Sequence, residues 1–273
     1  MYITDFAVIL EKIIIIKNTR MRLPRPVIEN CCVHVTHRCQ ERKFLFRYDI
    51  DRKKYRELLF TASKRFRRIR FLDYVITSNH IHLLIWAPHM SDLSEMMHWL
   101  QGTFAQYYNK RKKREGSFWR GRFNPTLIED GTHLSRCLFY LDMNMVRAKA
   151  VKHPSEWIFG GCRELCGIRR RYRIIDFEML LKCLGQENPE QFRKWYTSTL
   201  DDLCSSENLP REKFWASAFA VGSPEWFCKT TFISDKLLEK HLKPVDDDPD
   251  GTYIFNPSQS VLRRVWKKLS HNH

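Results

Sequence analysis

TSNHIHLLIWA, residues 77–87, sets two histidines, His80 and His82, into an otherwise apolar run behind a turn-forming Ser78-Asn79 pair. The run is short and rich in β-favouring residues. IRFLDYVITS at 69–78 has the same character, so the two read as strands of one tight hairpin. Residues i and i+2 of a strand point to the same face, roughly 6.5–7 Å apart at the Cα level. His80 and His82 therefore project together, with Ile81 buried on the opposite side. Two imidazoles on one face are either core residues or half of a divalent-metal site. A third ligand has to decide.

The elements on either side define the fold class. CCVHVTH at 31–37 alternates Val33 and Val35 against His34 and Thr36, the pattern of a strand. DRKKYRELLFTASKRFRR at 51–68 places Tyr55, Leu58, Leu59 and Ala62 at helical spacing. Beyond the hairpin, SDLSEMMHWLQGTFAQYYNKRKK opens with a capping-box pattern, Ser91 or Asp92 ahead of Ser94-Glu95. It carries Leu93, Met96, Met97, Leu100, Phe104 and Tyr107 on one stripe. RFNPTLIED at 122–130 is a fourth strand, and its Pro125 argues for an edge position. THLSRCLFYLDMNMVRAKAV at 132–151 is a helix with Leu134, Leu138, Leu141 and Met145 on its buried side. The order β-α-β-β-α-β followed by a helix predicts an α+β protein. Its expected core is a ferredoxin-like antiparallel sheet with two helices on one face. After about residue 163 short helical patterns take over, such as FEMLLKCLG from 177 and PEQFRKWYTSTLDDL from 189, which predicts a mainly helical C-terminal extension.

The bulk properties narrow the function. Forty-seven Lys and Arg against 31 Asp and Glu leave a formal charge of +16. Basic residues cluster in SKRFRRIR at 63–70, NKRKKREGSFWRGRF at 109–123 and GIRRRYR at 167–173, with aromatic residues interleaved. Such a surface suits a polyanion whose bases stack, so nucleic acid is the expected partner, and Lys112, Lys113, Arg120, Arg122 and Trp119 are candidate contacts. Trp119 and Phe123 also fit as core residues where the chain approaches the fourth strand. The nine cysteines include no CxxC pair. That spacing matches neither a disulfide framework nor a zinc ribbon, and predicts a reducing compartment. The apolar runs, such as KIIIIK at 12–17, are far too short to span a bilayer, and no membrane association is expected.

The helix at 132–151 offers the missing chemistry. Arg136, Tyr140, Asn144 and Arg147 recur at intervals of four, four and three, so they share one face opposite the leucine stripe. That face is either a solvated polar surface or a catalytic one. In the second case the Tyr140 phenol is a nucleophile for a phosphodiester, Asn144 completes a metal site with the two histidines, and Arg136 and Arg147 hold flanking phosphates.

Taken in order, VHVTHRCQERKFLFRYDIDRKKYRELL, SNHIHLLIW, GSFWRGRFNPTLIED and YLDMNMVRAKAVKHPSEWIFGG resemble the single-tyrosine HUH transposases, and most of all the REP-associated tyrosine transposases of bacteria. The resemblance runs from about Pro24 to Cys166. His80-Ile81-His82 corresponds to the HUH motif, Tyr140 to the nucleophile and Asn144 to the amide ligand. It implies cleavage and rejoining of single-stranded, hairpin-bearing DNA through a 5′-phosphotyrosine, with Mg²⁺ or Mn²⁺ held by His80, His82 and Asn144. It also implies action in the bacterial cytoplasm at the nucleoid, with a monomer preferred to a homodimer. The domains expected are an N-terminal extension at 1–23 (Met21 being a second candidate start), the HUH domain at 24–166 and an accessory region at 167–273. His34 and His37 on the first strand are expected to be structural or DNA-contacting residues. One departure is Met145 where the family commonly has proline, which removes a break and lets the helix run on past Asn144. A purely structural protein is argued against by the charge and the polar helix face, and two other readings compete. One is a catalytically silent ferredoxin-like module that grips single strands. The other is a histidine-nucleophile hydrolase, which position 84, a leucine in place of a third alternating histidine, argues against.

Overall fold

In the computed structural model the described residues are 29–206, 212–230, 240–246, 248 and 250–258. All but Pro257 and Ser258 belong to one compact unit, Val27–Asn256. The expected 1–23 extension lies outside the described residues, as does Met21.

The expected core is present. Strand β1 (Glu29–Arg38) leads into helix α1 (Asp49–Arg65), strands β2 (Arg70–Ile76) and β3 (His80–His89), helix α2 (Met90–Lys112) and strand β4 (Asn124–Ile128). Their lateral order is β2-β3-β1-β4, with every neighbouring pair antiparallel. Helix α3 (Thr132–Asp142) and a single further turn, α4 (Asn144–Arg147), follow, and then α5 (Cys162–Leu165), α6 (Phe177–Leu184) and α7 (Pro189–Ser205).

Beyond residue 166 the chain is not only helical. Strand β5 (Ala220–Gly222), helix α8 (Pro224–Thr230), and strands β6 (Leu242–Pro244) and β7 (Tyr253–Phe255) complete a seven-stranded sheet, β2-β3-β1-β4-β5-β7-β6. These additions place β4 in the interior. Pro125 is still tolerated because it faces Val35 of β1, whereas β5 pairs in parallel only with Leu127 and Ile128 further along. The residue without an N–H thus sits where β5 does not reach.

The sheet buries both faces. On one, Val33, Val35, Ile81, Leu83 and Ile85 pack under Tyr55, Leu58, Leu59 and Ala62 of α1 and Leu93, Met96, Met97, Leu100 and Phe104 of α2. Tyr107 of the predicted stripe is only partly buried there, and the next residue, Tyr108, takes the inward position. The capping box does not form: α2 begins at Met90, its N-cap His89 makes no side-chain cap, and the Ser94 hydroxyl donates to the Met90 carbonyl. On the other face Cys32, Leu72, Val75, Leu84 and Ile128 meet Leu134, Leu138 and Leu141 of α3, with Phe192, Tyr196 and Leu200 of α7 behind them. The tyrosine-bearing helix therefore lies flat on the sheet face that carries the two histidines.

Candidate active site

β1 and β3 pair in antiparallel register, with Thr36 opposite His82 and Arg38 opposite His80. Strand parity then puts His34 and Thr36 of β1 on the same face as His80 and His82. The hairpin ahead of the histidines is tight. The Thr77 N–H donates to the His80 carbonyl at 3.0 Å, and the His80 N–H donates to Thr77 Oγ1 at 3.1 Å.

The hydrogen bonds assign the imidazole tautomers. The Trp215 carbonyl, which can only accept, lies 2.7 Å from His34 Nδ1, so that nitrogen carries the proton. In the neutral ring His34 Nε2 then accepts, at 2.8 Å, from His82 Nδ1–H. That leaves the lone pair of His82 on Nε2, 3.0 Å from the Asn144 side-chain nitrogen. Burial holds the His34 imidazole down to about 4, against the opposing pull of its bond to the Trp215 carbonyl. Burial, followed by the fields of His80 and His34, pushes His82 well below its ordinary value. Both rings are therefore uncharged at neutral pH.

His80 follows the same pattern. Its Nδ1 is held 2.6 Å from the Asn79 carboxamide oxygen and 2.9 Å from Thr77 Oγ1, which leaves Nε2 of the neutral ring as the electron-pair donor. The His80 and His82 ring centroids are 4.6 Å apart. Two imidazoles with their Nδ1–H groups tied to outer-shell acceptors and their Nε2 lone pairs exposed to one pocket fit a metal site. Asn144 fits as the third donor once its carboxamide turns over to present Oδ1, an O/N choice that heavy-atom positions leave to the hydrogen-bond network.

Tyr140 reaches the same pocket from α3. The pocket, of about 420 Å³, is lined by Thr36, Arg38, Arg42, His80, His82, Tyr140, Lys213, Ala216 and Ser217. The Tyr140 ring is 7% exposed and stands 6.1 Å from His34 and 6.5 Å from His82, centroid to centroid. α3 ends at Asp142, and Met143 separates it from the turn that carries Asn144, so the helix is interrupted just before Asn144 although no proline follows it. The Arg147 guanidinium closes this interruption. It donates to the Tyr140 carbonyl and lies 4.5 Å from the centroid of the Tyr140 ring.

The other predicted contacts divide. Arg136 does not point into the pocket with Tyr140. Its guanidinium bonds Asp248, Thr252 and Glu212 and lies within 3.3 Å of Asp250. Glu212 in turn accepts from Trp215 Nε1 at 2.6 Å, so Arg136 supports the segment whose carbonyl orients His34. Trp119 is a core residue: it is 6% exposed, stacks on His37 at 4.5 Å and donates its indole N–H to the Gln101 carbonyl. His37, on the opposite parity from His34, faces that core. Arg120, Arg122, Lys112 and Lys113 are exposed. The Arg120 N–H donates to the Arg38 carbonyl, which places it at the pocket rim, whereas Lys112 lies over Tyr48 near the end of α2.

Sequence reasoning missed Arg38, Arg42 and Lys213, the cations that line the pocket. Arg38 is accessible from strand parity, two residues beyond Thr36. Arg42 follows Glu41 in a left-handed pair (φ 57° and 53°) that local patterning does not reveal. Lys213 arrives from the short helical turn Lys213–Ala216, far along the chain from Tyr140.

The sheet thus presents the histidine pair His80 and His82 to a helix bearing the buried Tyr140, with Asn144 in the turn that follows. Residues 27–141 match the family model described as "Transposase IS200 like". Among solved structures, the chain is similar to a REP-associated tyrosine transposase bound to a REP hairpin. The identity is 18%, over 56% of this chain and 89% of that one, with a TM-score of 0.45. It is also similar to a provisionally assigned transposase from Deinococcus radiodurans R1, at 13% identity over 48% and 92% of the two chains and a TM-score of 0.31. A search of curated proteins found no match. Among the described residues no helix is long and apolar enough to cross a membrane.

Proposed function

We propose that the protein cuts and rejoins single-stranded DNA by transesterification at Tyr140. The observation that carries this reading is the convergence of Tyr140, His80 and His82 on one cation-lined pocket, with Asn144 against His82. The Tyr140 phenolate oxygen attacks the phosphorus of a phosphodiester. The P–O3′ bond breaks as the tyrosine–phosphorus bond forms, the phenolic proton passes to solvent and the departing 3′ oxygen takes up a proton. A 5′-phosphotyrosine and a free 3′-hydroxyl result, and attack by a 3′-hydroxyl on the phosphotyrosine reverses the exchange with no external energy source.

Each residue's part follows from its placement. His80 and His82 through Nε2, with Asn144 through its amide oxygen, would hold Mg²⁺ or Mn²⁺, and that ion supplies Lewis-acid polarisation of the scissile phosphate when bound. Arg38, Arg42 and Lys213 neutralise phosphate charge at the pocket. Arg147 fixes the Tyr140 backbone and ring, so it is a positioning residue for the nucleophile. The exposed Arg120, Arg122, Lys112 and Lys113 extend a basic track for DNA, for which a hairpin-bearing single strand acting on a protein monomer in the bacterial cytoplasm is the preferred setting. The HUH domain covers 24–166, and the region from 167 onward completes the pocket through Lys213, Ala216 and Ser217.

The test is a labelled single-stranded hairpin incubated with Mg²⁺ and run on a denaturing gel. A covalent protein–DNA band that vanishes in chelator and in Tyr140→Phe supports the reading. Tight, salt-sensitive binding without any band would instead make the protein a silent single-strand-binding module.

A further inference from the structure

Cys32, Asp130 and Cys183 come from three separate elements: strand β1, the loop that follows β4, and the last turn of α6. One donor atom from each, the two Sγ and a carboxylate oxygen, all lie within 4.8 Å of one another. Among the described residues no other trio of His, Cys, Asp or Glu side chains gathers so closely. Cys32 is fully buried and Cys183 is 6% exposed, whereas Asp130 opens to solvent. Burial, reinforced by the neighbouring Cys183 and Asp130, pushes the Cys32 thiol well above the ordinary thiol range. Burial also pushes the Asp130 carboxyl up, with the Cys32 contact opposing it.

Two sulfurs and one carboxylate oxygen are donors suited to a borderline-soft divalent ion in tetrahedral geometry, with metal–sulfur distances of about 2.3 Å and metal–oxygen distances of about 2.0–2.2 Å. Ligand atoms at those distances stand roughly 3.5–3.8 Å apart. The trio, with its donor atoms within 4.8 Å of one another, therefore needs to contract by no more than about 1.3 Å, and the solvent side at Asp130 leaves room for a water as fourth ligand.

We infer that Cys32, Cys183 and Asp130 form a binding site for one divalent cation of the zinc class. On binding, both S–H bonds break and their protons leave to solvent, while two sulfur–metal bonds and one oxygen–metal bond form with no change of oxidation state.

The location gives the site a role. Asp130 is followed by Gly131, which caps the tyrosine helix α3 in a conformation at φ 74° that glycine adopts readily. The Gly131 N–H donates to the Cys183 carbonyl at 2.8 Å. Cys32 lies two residues before His34 on the same face of β1. A cation here ties the histidine-bearing sheet, the root of the tyrosine helix and α6 together. It thereby links the family-matched region to the part of the chain beyond it. The site is independent of strand transfer at Tyr140, since it shares no residue with the pocket.

The test is a Co²⁺ titration of the full chain in a His80→Ala, His82→Ala background, so that the imidazole pair takes no ion. The expected result is one equivalent bound, with an intense near-ultraviolet thiolate-to-cobalt charge-transfer band that Zn²⁺ abolishes by displacement. Zn²⁺ also raises the melting temperature. Cys183→Ser removes the band, and Asp130→Asn, at a solvent-open position, weakens Co²⁺ binding roughly tenfold or more. Absence of the band with all nine thiols reduced overturns the site. A band that survives Cys183→Ser also overturns it, since another thiol pair such as Cys162 and Cys166, 3.8 Å apart, would then be the ligand. A Cys32–Cys183 disulfide in the isolated protein overturns it as well. Should Cys183→Ser fail to fold, unchanged Co²⁺ affinity in Asp130→Asn overturns the site in its place.

Discussion

The two faces of one sheet do different work. Beneath α1 and α2 the strands present Val33, Val35, Ile81, Leu83 and Ile85, and the cluster is closed by Phe46, Tyr55, Phe104, Phe118 and Trp119. Beneath α3, the alternate residues of the same strands include His34 and His82, buried but hydrogen-bonded in a chain from Trp215 to Asn144. Period-2 alternation lets β1 and β3 bury apolar side chains on one face and present hydrogen-bonded polar ones to the pocket on the other. Buried polar groups of this kind persist because each finds a partner, and a broken link costs more than an unmade one.

Four changes probe that division. Tyr140→Phe should abolish the covalent DNA adduct altogether while leaving the thermal melt close to wild type, because only the phenolic oxygen is lost. On the opposite face, Phe104→Ala removes a fully buried ring and should cost about 3–5 kcal/mol of stability by urea unfolding. Adduct yield per folded molecule should stay unchanged, and a matching loss of chemistry would show that the faces are not separable. His34→Asn breaks the link that orients His82. It should lower the divalent-metal affinity of the pocket roughly 10–100-fold with little loss of DNA binding.

The smallest effect is expected at Arg136. Burial raises the Asp248 carboxyl, but bonds from Thr252 and Arg136 outweigh this and bring it down from 3.8 to about 2. A carboxylate depressed in the folded state contributes stability that is fully present above the unfolded value and is lost as pH falls through the folded one. Wild type should therefore lead Arg136→Met in urea midpoint near neutral pH, and the lead should shrink between pH 3.8 and about 2. A pH-independent gap would mean that the Arg136–Asp248 pair is not its source.

Much of this division is legible in the sequence. The pairing of His80 with His82 follows from strand period alone, and the placing of Tyr140 with Asn144 follows from helical spacing. The spacing that joins Arg136 to that face is equally regular, yet Asp248, Glu212 and Asp250 draw its guanidinium away, and contacts over 76 to 114 residues leave no local trace. Strands β5, β6 and β7 are three residues each, too short for any period to register, so the region beyond 166 reads as helical only. The break at Met143 appears without a proline. The role of His34 is hidden for a different reason: its alternation with Thr36 shows which way it faces, but its partner, the Trp215 carbonyl, lies 181 residues away.

The central claim is that Tyr140 is the nucleophile. Its most direct measurement is to form the adduct with a labelled DNA hairpin, digest the protein and DNA, and locate the retained nucleotide by mass spectrometry. The predicted result is a nucleotide 5′-phosphate on the Tyr140 phenol and on no other residue. A nucleotide attached to a different tyrosine, to a histidine or to a serine would contradict it.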